Sequence, residues 1–89
     1  MIGPFKVELN PAAVRALRAL DKPVARRIVN ALDGLKATPR PATCRALTGR
    51  PGVLRIVVAK DWRVLYEVHD DRLVVLVIAL GHRSTIYDR

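Results

Sequence analysis

Three apolar runs crowd the second half of the chain with almost nothing between them. "VLRIVVA" (53–59), "WRVLYEV" (62–68) and "LVVLVIAL" (73–80) are separated only by "KD" and "HDDR". Valine, isoleucine, leucine and aromatic side chains in short blocks favour extended backbone. Links this short admit only antiparallel hairpins, because a parallel crossover needs a dozen residues or more. The second half of the chain is therefore expected to be a three-stranded meander.

The first link decides which side chains share a face, since a slip of one residue exchanges the two faces of a strand. A two-residue Lys60-Asp61 turn would set Val58 opposite Arg63 and send Arg55 and Arg63 to opposite sides. A three-residue loop, Ala59 to Asp61, sets Val58 opposite Trp62 and brings the two arginines together. It also gathers Leu54, Ile56 and Val58 with Val64, Tyr66 and Val68, which makes the better core, and this register is the one expected. Across the second hairpin Val68 is expected opposite Leu73. Val75 and Val77 then join the core side, and Val74, Leu76 and Ile78 fall on the side of Arg63.

The first half alternates differently. In "FKVELNP", Phe5, Val7 and Leu9 stand at every second position, as in a half-buried strand, and Asn10-Pro11 reads as a helix N-cap with proline at the first helical position. A helix is expected from about Pro11 to Leu20, with Ala13, Leu17 and Leu20 on its apolar side. Asp21 can cap a second helix, in which Val24, Ile28, Ala31, Leu32 and Leu35 recur on one face, until Pro39 and Pro41 end it. The expectation is one α+β domain over residues 1–89, ordered β-α-α-β-β-β, with a helical hairpin packed on one face of a small antiparallel sheet. Too little chain remains to cover the other face, so function is sought there.

Sixteen Lys and Arg against eight Asp and Glu give a formal charge of +8, which favours a polyanionic or acidic partner. The single cysteine, Cys44, allows no internal disulfide and fits a reducing cytosol. "MIGPFKVELN" lacks the pattern of a secretory leader, and residues 73–80 are too few for a membrane span. A soluble, cytoplasmic protein is expected.

His69 and His82 lack carboxylates at metal-ligand spacing, and "GRPG" lacks the lysine and following helix of a phosphate loop, so neither a metal centre nor a nucleotide cofactor is expected. What remains is Arg55, Arg63, Arg83, His82 and Tyr87, a set suited to attack by an RNA 2′-hydroxyl on its own phosphodiester. The nucleophile is supplied by the substrate. The protein must move protons and neutralise charge on phosphorus, and guanidinium groups stay protonated and present forked donors to phosphate oxygens. His82, with a reference pKa of about 6.5, or Tyr87, if neighbouring arginines lower its own, could move the proton. The plainer alternatives are solvated strand arginines, a turn histidine and a packing tyrosine.

The string "LTGRPGVLRIVVAKDWRVLYEVHDDRLVVLVIALGHRSTIY" resembles the second half of the RelE toxins, in the RelE/ParE superfamily of bacterial and archaeal toxin-antitoxin systems. "NPAAVRALRALDKPVARRIVNALDGL" is similar to that family's opening helical hairpin, so the resemblance covers nearly the whole chain. It implies a toxin that cleaves mRNA on the ribosome without metal or cofactor and is silenced by a cognate antitoxin, meeting operator DNA only through that complex. Position by position, it implies that Arg55 is the basic residue of the first hairpin strand and that Arg63, in "WR", binds phosphate. Arg83 then stabilises the transition state or protonates the leaving group, and Tyr87 orients or deprotonates the 2′-hydroxyl. Val57 stands where better-known members carry an acid-base lysine, which leaves His82 or Lys60 as substitutes; Lys60 is also expected among the RNA-binding residues. An acidic or amphipathic antitoxin segment is expected over Val74, Leu76 and Ile78. The superfamily also includes ParE-like toxins that bind DNA gyrase without chemistry, and a catalytically weakened member that only binds antitoxin and DNA is a third reading.

Overall fold

The computed structural model describes residues 3–86. Its elements are β1 (Lys6–Leu9), α1 (Pro11–Arg18), α2 (Lys22–Leu35), β2 (Arg45–Ala46), β3 (Leu54–Val58), β4 (Trp62–His69) and β5 (Val74–His82). The expected α+β fold is present: two helices lie on one face of a sheet. Strand order is β1-β5-β4-β3-β2. β1 runs parallel to β5, with Lys6 beside Val74 and Leu9 beside Val77, while the other pairs are antiparallel. The sheet is therefore mixed rather than wholly antiparallel. Short links dictate the β3-β4-β5 meander, but the direction of β1 is set by the helices that intervene, and no local pattern announces it.

Asn10 begins α1 as expected. Its Oδ1 accepts from the Ala13 N–H at 2.8 Å, and Pro11 follows. The helix ends two residues short of Leu20, where Leu20 N–H turns to the Leu17 carbonyl and tightens the last turn. Asp21 occupies the N-cap position of α2 without a capping side-chain bond. One face of α2 buries Ile28, Leu32 and Leu35 against Ile56, Val64, Tyr66, Val75 and Val77. Tyr66 satisfies its one polar atom by donating to the Pro39 carbonyl at 2.8 Å, which ties the chain after α2 to the sheet. Burial, above all, pushes the Tyr66 hydroxyl above its ordinary value, so it remains a neutral donor.

Val58 lies opposite Trp62, so the three-residue loop is the one formed, and Ala59 and Lys60 adopt φ of 51° and 69° to close it. The second hairpin departs from expectation: Val68 pairs with Val75, and His69 with Val74, across a turn of residues 70–73. A shift of two residues preserves the faces, so Val75 and Val77 are still wholly buried. Further along, Tyr66 pairs with Val77 but Leu65 with Ala79, which leaves Ile78 as the extra residue of a bulge. Asn10 Nδ2 takes up the Ile78 carbonyl at 3.0 Å. One side chain thus caps a helix and completes a bulge 68 residues away.

The face away from the helices is less open than expected. Val53, Leu65 and Ile86, at 4%, 2% and 4% exposure, form a second apolar cluster there with Leu47, Ile78 and Ala79 beside them. The turn after β5 returns Ile86 to the sheet, through bonds from Thr85 N–H and Ile86 N–H to the His82 carbonyl, both at 3.0 Å. Among the described residues, no helix is long and apolar enough to cross a membrane.

Candidate functional site

Arg55 and Arg63 share the face away from the helices, as diagonal neighbours: Arg55 stands opposite Leu65, and Val57 opposite Arg63. Beyond them, Arg45 of β2 lies directly opposite Arg55. Three arginines therefore project from one end of this face. The sequence reading missed Arg45, because a strand of two residues leaves no periodic signal; the pairing of "CRA" with "LRI" becomes visible only once the loop between them is folded.

Two of these side chains are steered by backbone. Arg63 Nη1 donates to the Lys60 carbonyl at 3.0 Å. Arg45 Nη1 donates to the Ala42 and Cys44 carbonyls at 3.0 and 2.8 Å. The Nε groups of Arg55 and Arg63 are buried with no hydrogen-bond partner among the described residues. An unpaired buried donor costs about 1–3 kcal/mol, so each of these two arginines carries one unmet donor enclosed by its neighbours.

Arg83 joins this end through the β3–β4 loop. Its N–H donates to the Asp61 carbonyl at 2.7 Å, and its Nε lies 3.2 Å from Asp61 Oδ1. The same loop therefore holds Arg63 through Lys60 and Arg83 through Asp61. Lys60 itself is exposed at the tip of the loop.

His82 is not brought to this set. It pairs with Trp62, and the two rings meet edge to face with centroids 5.3 Å apart. Trp62 packs with the helix-side core, so the imidazole belongs to the face opposite Arg63. Its Nδ1 meets the Ser84 hydroxyl at 2.8 Å and accepts from the Ser84 N–H at 3.1 Å, which makes it the organiser of the turn after β5. The reason is alternation: β5 extends to His82, so Gly81 takes the position opposite Arg63 and the next side chain must face the other way. Tyr87 lies outside the described residues.

Val74, Leu76 and Ile78 lie on the face of Arg63, flanked on β1 by Lys6 and Glu8. Ile78 is already engaged with the Leu65 cluster. Glu67 and His69 continue β4 on this same face, joined by a 2.8 Å contact between His69 Nε2 and Glu67 Oε1. The expectation that His69 has no carboxylate at such spacing fails here, because β4 runs on through His69 rather than ending at Val68, and residues two apart on a strand share a face. No group of three His, Cys, Asp or Glu side chains arranged to hold a metal occurs among the described residues.

Comparison with known proteins places this geometry. The family described as ParE toxin of type II toxin-antitoxin system, parDE, matches residues 7–87. No curated protein sequence matches. The archaeal RelE-RelB complex from Pyrococcus horikoshii OT3 is similar at 26% identity and a TM-score of 0.75, over 92% of this chain and 98% of that one. For the intact E. coli RelBE complex the values are 26% and 0.76, over 88% and 95%. For the isolated E. coli RelE toxin they are 26% and 0.77, over 94% and 92%. With a family match across nearly its whole length and a RelE-like arrangement of helices and sheet, the chain belongs to the ParE toxin family and is a toxin of a type II toxin-antitoxin system in the RelE/ParE superfamily.

Proposed function

We propose that the chain is a ribosome-dependent mRNA endonuclease, cleaving by attack of an RNA 2′-hydroxyl on the adjacent phosphodiester and so stopping translation. One observation carries this reading: Arg55 and Arg63 share a sheet face, and one loop ties Arg83 to Arg63. On this reading Arg55 and Arg63 hold the phosphate, and Arg83 neutralises charge as the leaving oxygen departs. Tyr87 is assigned the 2′-hydroxyl by its place in the family motif. His82 is assigned the turn that delivers the chain to Tyr87, not the proton transfer. The partner that silences the toxin is an antitoxin, in keeping with the RelB complexes among the similar structures, and Val74 and Leu76 are the apolar residues we assign to it, with Ile78 beneath.

The second reading is a ParE-like toxin that binds DNA gyrase and does no chemistry. It is favoured by the description of the matching family and by Val57 in place of a lysine. Primer extension on mRNA translated by purified ribosomes separates the two. Arg63→Ala and Arg83→Ala should each lower cleavage about 10²- to 10³-fold, the usual loss on removing one donor to developing charge. Growth arrest that persists in the double variant, with mRNA intact, would overturn the nuclease reading in favour of gyrase.

A further inference from the structure

The face away from the helices is charged unequally along its length. Arg45, Arg55 and Arg63 stand at one end. Four residues further along β4, about 14 Å at a rise of about 3.4 Å per residue, Glu67 stands on the same face. Its neighbour on β5 is Leu76, and the neighbour of Leu76 on β1 is Glu8. Two carboxylates therefore flank one apolar side chain across three adjacent strands, about 10 Å apart at a spacing of about 4.8 Å per strand. Val74, the next residue of β5 on this face, extends the apolar surface, and both it and Leu76 are half-buried.

These carboxylates are not consumed within the fold. Glu8 is exposed and has no side-chain hydrogen bond or ion pair among the described residues. Glu67 meets His69 Nε2 through Oε1 alone, at 2.8 Å, and its side chain is 34% exposed. Lys6 on β1 and Arg50 on the loop before β3 are exposed and paired with neither carboxylate.

The order along the face is thus cation, apolar surface, anion, and an occupant that fits it carries the reverse order. RNA does not. Phosphates run its whole length, so a strand held by Arg55 and Arg63 is repelled at the far end. A second copy of this chain could present the reverse order about a two-fold axis, but it would set one charge of +8 against another. A polypeptide segment with acidic residues at one end and a basic residue at the other meets all three zones. An arginine or lysine laid along Leu76 would cover it with its stem and bring its charge between the two carboxylates.

We propose that Glu8, Leu76 and Glu67 form the seat of a basic side chain of the antitoxin, and that this seat fixes which way the antitoxin segment crosses the sheet, with its acidic residues over Arg55 and Arg63. The proposal rests on the assignment of Val74 and Leu76 to the antitoxin and deepens it. Opposite charge at both ends sets the direction of docking and rejects antitoxins of the wrong pattern.

Calorimetric titration of the chain with its full-length cognate antitoxin tests this. Glu8→Gln/Glu67→Gln should weaken binding roughly 10-fold, and Glu8→Lys/Glu67→Lys roughly 100-fold, because the second sets like charges together. When the Lys and Arg residues of the antitoxin are exchanged for Glu one at a time, one exchange should weaken binding to the native chain and restore it to the charge-reversed one. Thermal melting of each variant alone checks the fold, and the neutral pair carries the test should the reversed pair fail to fold. Undiminished affinity of the reversed chain, or a loss that no exchange restores, would overturn the seat. Leu76→Asp separates the proposal from the assignment beneath it. If Leu76→Asp weakens binding and the glutamate variants do not, the antitoxin covers this face without a charged seat; if neither does, the assignment of this face to the antitoxin falls as well. A native chain that sediments as a dimer, dissociated by Glu8→Lys/Glu67→Lys with antitoxin binding unchanged, would overturn the proposal in favour of a second copy.

Discussion

Replacing Asn10 tests two contacts at once. Its Oδ1 caps α1 and its Nδ2 fills the carbonyl left over at the β5 bulge. Asn10→Ala should cost about 2 kcal/mol, the sum of a lost cap and an unpaired carbonyl, whereas Asn10→Asp retains the cap and should cost about 1 kcal/mol. Urea unfolding of the two variants distinguishes these values. At the other extreme, Ala59 sits at φ 51°, where a Cβ is strained and glycine is not. Ala59→Gly should stabilise the protein by up to about 1 kcal/mol, seen as a raised thermal midpoint. The cap was legible in "NP" because a capping amide needs only its own neighbours. The second bond was not: it depends on a bulge whose position follows from how β4 and β5 fit, and nothing around Ile78 marks it.

At the scale of elements, the β3–β4 hairpin is the part most fully written in the sequence. Counting which register buries more apolar side chains selects the three-residue loop, and with it the shared face of Arg55 and Arg63. The next hairpin is less determined, since "HDDR" tolerates several turns; the pairing moved by two residues, yet the faces held because only parity matters to burial. β2 and the return of Ile86 were invisible, being two residues and one residue long. The link between Asp61 and Arg83 came from the same hairpin and supplies a test. The two side chains are 39% and 63% exposed, and exposed ion pairs contribute about 0–1 kcal/mol. Asp61→Ala should therefore change stability by less than about 0.5 kcal/mol. If the loop positions Arg83 for chemistry, the same variant should lower mRNA cleavage about 10-fold, because small misplacements are amplified in rate. The main-chain bond from Arg83 N–H survives the substitution, so the loss should be smaller than in Arg83→Ala.

For the whole molecule, the charge of +8 is shared between a basic end of the sheet and exposed helix residues such as Arg15, Arg18, Arg26 and Arg27. If the toxin binds RNA as proposed, its affinity should fall steeply with added salt. One exposed ion pair closes the fold between distant segments: Arg40 meets Asp70 through two bonds of 3.1 and 2.8 Å, joining the chain after α2 to the β4–β5 turn. Bonding to Arg40 holds the Asp70 carboxyl below its ordinary value. A depressed carboxylate stabilises the fold above its unfolded pKa, near 4, and ceases to do so as pH falls through the folded value. Thermal midpoints of the native chain and Asp70→Asn should therefore differ slightly at neutral pH, converge in acid, and converge also in high salt. The parallel pairing of β1 with β5 carries a different kind of consequence, one of timing. β5 lies between β1 and β4, so the last of the described strands is the one that joins the first to the rest of the sheet. Contacts of such long sequence separation form late. Until β5 is in place, β1 has no strand to pair with. The outer sheet face of the toxin is therefore complete only once the two most distant strands of the described fold have met.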